Sequence, residues 1–93
     1  MPIEPETGEF INGSIADRTH QCLKNIGSIA EAAGSGLDQA VKLTVFLTDI
    51  NDFAIMNEVY AQYFTTNLPA RSAIQVAALP KNADIEIEAI VAV

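Results

Sequence analysis

Arg71 is one of only two arginines in the chain, and it opens an alternating run directly behind Pro69 and Ala70. A guanidinium held on strand backbone presents a planar fork that matches a carboxylate through two hydrogen bonds. A surface arginine at a strand end has the same signature, and the residue types leave both readings open. Glu86 and Glu88 lie two apart in a second alternating run, so they share a strand face, on which Ile90 and Ala92 are apolar. If that face is partly covered, a carboxylate on it is pushed toward a pKa useful for moving protons; if it is solvated, the pair is a plain strand edge. Asn57 stands at helical spacing among Phe53, Met56 and Tyr60. It is either a boundary amide able to donate and accept hydrogen bonds or an ordinary helix-surface amide.

Other chemistries find little support. His20 has no second His or Cys at ligand spacing, which argues against a metal site. Cys22 is the only cysteine, so no internal disulfide or multi-thiolate site can form, and its place on an apolar helix face reads as a buried, inert thiol. Tyr60, Tyr63 and Phe64 have no basic residues interleaved with them and read as packing residues rather than a stacking platform. No glycine-rich phosphate loop occurs. Twelve acids against five bases give a net charge of −7, which repels phosphate backbones and anionic lipid. Nucleic acid and membrane are therefore not expected as partners.

The elements that must position these residues follow from periodicity. Ninety-three residues, 49% hydrophobic and 18% charged, predict one small globular domain. The segment to Asn12, with Pro2, Pro5 and Gly8, reads as a loop. Ser14 with Asp17 three residues on is a helix start, and apolar residues from Ile15 through Cys22, Leu23, Ile26, Ile29 and Ala30 carry the helix to about Ala33, with Gly34 as its stop. Val41, Leu43, Val45 and Leu47 alternate with polar neighbours and predict a strand. A second helix spans about Asp52 to Thr65. Residues 71–76 form a short strand with Ile74 and Val76 read as core-facing, and Ile85 to Val93 form the last strand. Two helices on three strands leave an open edge and a bare face, which oligomerisation or additional strands would have to cover. The strand that usually precedes such a first helix is missing from the pattern.

With these residues placed, the chain closely resembles the reactive-intermediate deaminase family, the Rid or YjgF type, also called endoribonuclease L-PSP. The resemblance is carried by Pro69-Ala70-Arg71-Ser72-Ala73, by Ile85-Glu86-Ile87-Glu88-Ala89-Ile90, by Asn51-Asp52-Phe53-Ala54 with Asn57-Glu58-Val59-Tyr60 after it, and by Val41 to Leu47. It covers essentially the whole chain. The opening Pro2 to Glu9 looks like the loop after that family's third strand.

The resemblance implies a chorismate-mutase-like α+β fold, a homotrimer with ligand clefts between subunits, and hydrolysis of 2-imino or enamine acids to 2-keto acids and ammonia. By position, Arg71 is expected to clamp the substrate carboxylate, Glu86 to orient or activate water, and Asn57 to line the cleft. Ala73 lines it too, where many members carry cysteine, a difference of little weight for chemistry with no covalent step. Neither cofactor nor metal is implied, and a cytoplasmic or mitochondrial matrix location is expected. The chain is also expected to start after the family's first strands, without a cleft tyrosine and a Ser-Gly-Gln segment, and so to turn over weakly. Two alternatives are a ligand-binding regulatory module of the same fold and a ribonuclease or translation inhibitor. The −7 charge and the absence of a His pair argue against the ribonuclease.

Overall fold

In the computed structural model, which describes residues 1–93, Ser14 caps the first helix as its spacing to Asp17 predicts. The Ser14 hydroxyl accepts from the Asp17 amide at 3.2 Å, and the Asp17 carboxylate accepts from the Ser14 amide at 3.2 Å. This reciprocal cap satisfies two otherwise orphaned donors, and such caps contribute about 1 kcal/mol. Helix α1 runs Ile15–Ala32 and is stopped by Gly34, whose φ of +82° a side chain would strain. Strand β1 (Ala40–Leu47), helix α2 (Phe53–Tyr63), strand β2 (Ala70–Gln75) and strand β3 (Ile85–Val91) follow in the expected order. Short 3₁₀ turns precede β1, α2 and β3.

The sheet order is β2-β1-β3, with β1 parallel to β2 and antiparallel to β3. Leu43, Val45 and Leu47 of β1, with Ile85 and Ile87 of β3, point to one face and are buried. They pack against Cys22 and Leu23 of α1 and against Met56, Val59 and Tyr60 of α2. That single core is built from period two on the strands meeting a three-to-four period on the helices. The other face carries Lys42, Thr44, Phe46, Ser72, Ile74, Glu86, Glu88 and Ile90, none of them fully buried. Both helices lie on one side of a mixed sheet, so the architecture is α+β. None of the helices is long and apolar enough to cross a membrane.

Strand β2 corrects the sequence reading. The register Leu43↔Arg71 and Val45↔Ala73 turns the odd residues of β2 inward, and Ala73 packs on the core while Ile74 is 45% exposed on the open face. Apolarity alone favoured Ile74, but the inner position beside the rings of α2 is taken by the arginine stem. Two further residues read as core-facing are exposed, Ile29 at 71% and Val41 at 52%. Val41 sits where the β1–β3 register slips between Ala40 and Lys42, so the small Ala40 takes the inward place. Helix α2 is shorter than expected at both ends, a 3₁₀ turn, Ile50–Asp52, taking its expected first residue and the helix stopping at Tyr63, and β3 ends at Val91.

Candidate active site

Helix α2 presents Phe53, Asn57 and Tyr60 at i, i+4 and i+7, which places them on one face. The parallel crossover from β1 through α2 brings that face over the start of β2, where Arg71 emerges half-buried on the same side. Nη1 of Arg71 donates to Oδ1 of Asn57. The guanidinium carbon lies 4.7 Å from the centroid of the Tyr60 ring and 5.4 Å from that of Phe53. A cation set on aromatic faces at this range is stabilised by roughly 0.5–2 kcal/mol.

Of the five N–H donors an arginine carries, only this one is engaged within the chain. In a protein with twelve acids Arg71 forms no ion pair, whereas Arg18 donates to Asp84 at 2.8 Å. Beside Arg71 is an open hollow of about 370 Å³ lined by Asn57, Tyr60, Ala61, Phe64, Leu68, Pro69 and Arg71. Most of that wall is apolar, and the guanidinium is its one fixed positive charge. Such a geometry offers an oriented cation beside an apolar flank, to which an anion could be bound.

Glu86 is placed differently. It pairs with Phe46, three residues along β1 from the Leu43 that pairs with Arg71, so Glu86 and Arg71 leave opposite faces of the sheet. Glu86 is half-buried and Glu88 exposed. The structure therefore brings Arg71 and Asn57 together, sets Ala73 two residues along the same face, and keeps Glu86 across the sheet. The rings of Phe53 and Tyr60 were not singled out as partners of Arg71, although their spacing around Asn57 was the available signal.

The remaining residues fall outside this arrangement. His20 is half-buried and its Nδ1 lies 2.7 Å from the Tyr63 hydroxyl, tying α1 to α2. No three His, Cys, Asp or Glu side chains converge as a metal site would require. Cys22 is 1% exposed, and burial pushes its thiol up to about 11, against a smaller opposing pull from the N-terminal ammonium. A thiol raised in the folded state leaves stability whole below its ordinary value of 9.0 and removes it as pH rises toward 11. The loss expected over that window is about 2–3 kcal/mol. Thermal melts of the wild type and of Cys22→Ala between pH 8 and 11 check it: the wild type should lose Tm more steeply, and parallel slopes would refute the raised thiol.

Two helices on one face of a mixed three-stranded sheet, with a strand-borne guanidinium over a helix of aromatic residues, define a small α+β domain with a fixed cationic site. The family profile described as Endoribonuclease L-PSP matches residues 1–93, and the chain belongs to that family, the YjgF/Rid family. A RutC family protein of Pyrococcus horikoshii is 57% identical over 90 residues, covering 97% of this chain and 71% of its own. The 2-iminobutanoate/2-iminopropanoate deaminase of Homo sapiens is 52% identical over 88 residues, 95% of this chain and 64% of the human protein. Among solved structures, the E. coli YjgF gene product superposes with a TM-score of 0.90 at 46% identity, covering 97% of this chain and 72% of its own. E. coli TdcF with bound serine gives a TM-score of 0.90 at 45% identity, with coverage of 97% and 72%.

Proposed function

We propose that this chain hydrolyses 2-imino acids and their enamine tautomers to 2-keto acids and ammonia, with Arg71 holding the substrate carboxylate. The observation that carries the reading is the guanidinium of Arg71, stacked on two rings, fixed by Asn57 and left without any acidic partner. A deaminase name on relatives at 52–53% identity supports it, as does a serine ligand, itself a small amino acid, in a 45% identical structure.

The chemistry asks little of the protein. A protonated imine carbon is already electrophilic, and a water must be placed against it and relieved of a proton. As the C–O bond forms, Glu86 accepts that proton and returns it to the nitrogen. The carbinolamine then collapses: its hydroxyl gives its proton to Glu86 as C=O forms and the C–N bond breaks, and the departing ammonia takes that proton away as ammonium, leaving the keto acid and the free carboxylate. A carboxylate in this role contributes about 10²–10⁴ in rate. The sheet separates Glu86 from Arg71 within one chain, so the site is formed between copies, Arg71 from one and Glu86 from the open face of another. Ile74 and Ile90, 45% and 62% exposed on that face, give such a contact its apolar part. A homotrimer is the closed assembly proposed.

Coupling an amino-acid dehydratase to keto-acid detection tests the reaction, with light scattering on the same sample. Release of 2-oxobutanoate faster than the spontaneous rate, from an oligomer, is the expected result. No acceleration would overturn the enzymatic reading, and with carboxylate binding retained it would leave a binding module. Full turnover by a monomer would overturn the shared site.

A further inference from the structure

We propose that Tyr60 is a positioning residue for the carboxylate clamp, its ring face setting the plane in which the Arg71 guanidinium lies. The inference rests on the reading of Arg71 given above and goes beyond it by assigning how the fork is aimed. A guanidinium at the end of a flexible stem has two angles to fix before it can meet a carboxylate edge-on. The bond to Asn57 Oδ1 fixes rotation within the guanidinium plane. The tilt of the plane needs a surface, and the nearer ring is Tyr60, at 4.7 Å against 5.4 Å for Phe53.

Tyr60 is itself held. It is 8% exposed, and the Phe64 ring packs against it with centroids 4.6 Å apart and an interplanar angle of 32°. Arg71, Tyr60 and Phe64 thus form one contiguous cluster beside the hollow, its two rings belonging to the core. The Tyr60 hydroxyl is buried without a hydrogen-bond partner. Within this chain Tyr60 therefore meets Arg71 through its ring and not through its hydroxyl. Arg71 has no carboxylate of its own chain to orient it, and the cluster does so instead. A fork oriented beforehand loses less freedom when ligand arrives.

The test measures the Kd of 2-oxobutanoate by calorimetry for the full chain and for Tyr60→Phe, Tyr60→Leu and a variant with ring-perfluorinated phenylalanine at 60. Tyr60→Phe keeps the ring and should bind within about two-fold of the wild type. Tyr60→Leu loses the π-face, and the perfluorinated ring keeps volume while reversing the quadrupole; each should weaken binding roughly 3- to 30-fold. The perfluorinated variant decides the matter if Tyr60→Leu does not fold, because a purely packing role is indifferent to ring charge. Unchanged Kd in that variant, with binding lost in Arg71→Ala, overturns the role of Tyr60 and leaves Arg71 standing. Unchanged Kd in Arg71→Ala overturns both.

Discussion

Arg71→Ala is expected to weaken binding of 2-oxobutanoate by roughly 10- to 150-fold, the equivalent of about 1.5–3 kcal/mol of charge-assisted hydrogen bonding. The size of the effect follows from what the side chain does in the unliganded chain, where it rests on two rings and bonds Asn57 but pairs with no acid. An arginine already paired to an acid would bind an anion only by exchanging partners, and its removal would register mostly as instability. Here the outcomes separate cleanly. The half-buried guanidinium stacks on Tyr60 and Phe53, so some loss of Tm accompanies the substitution, but β2 remains paired to β1 through backbone alone. Calorimetric titration alongside a thermal melt reads both. A folded Arg71→Ala protein with wild-type affinity would remove Arg71 from the site.

Glu86→Gln is expected to lower turnover by about 10²–10⁴ while leaving carboxylate affinity near the wild-type value, because the amide is isosteric and cannot take a proton. The opposite-face placement of Glu86 and Arg71 makes a sharper expectation possible. If each site draws one residue from each of two copies, two impaired chains can repair one another. Refolding Arg71→Ala and Glu86→Gln chains together should restore about a quarter of the wild-type rate, since random assembly gives that share of sites both intact residues. Either variant refolded alone should stay below about a tenth of the wild-type rate when substrate is kept below KM. A mixture no better than its parts would show that one chain supplies both groups or that Glu86 is not involved.

Much of the scaffold is legible in the sequence. The Ser14–Asp17 cap, the inward Leu43, Val45 and Leu47, and the alternation of Ile85 and Ile87 with Glu86 and Glu88 are local patterns, and local patterns carry their own periodicity. The inward face of β2 was not legible. In Arg71 to Val76 the large apolar residue is Ile74, and only the pairing register with β1 shows that Ala73 and Arg71 are the ones that turn inward. The site was half legible for the same reason. Arg71, Asn57 and Glu86 stood out by type, but their grouping depends on a crossover that spans α2 and on which sheet face each strand shares. Asn57 joined Arg71 through tertiary placement, and Glu86 was separated from it by parity that no run of six residues reveals. By sequence Tyr60 reads as a packing residue, which its ring is toward Phe64, while its contact with Arg71 depends on the crossover that carries α2 over β2.

The central position of β1 has a bearing on how the chain comes off the ribosome. Val45 finds one partner in Ala73 and the other in Ile87, so the middle strand is completed only by segments far along the chain. Such non-local pairing slows folding, because a long loop must be closed before any contact rewards it. Until β3 has emerged, Leu43, Val45 and Leu47 form an apolar strand with one edge unpaired, a segment able to aggregate with its copies on neighbouring nascent chains. Stalled synthesis before Ile85 should thus yield a product that aggregates or is degraded, even though both helices have already been made.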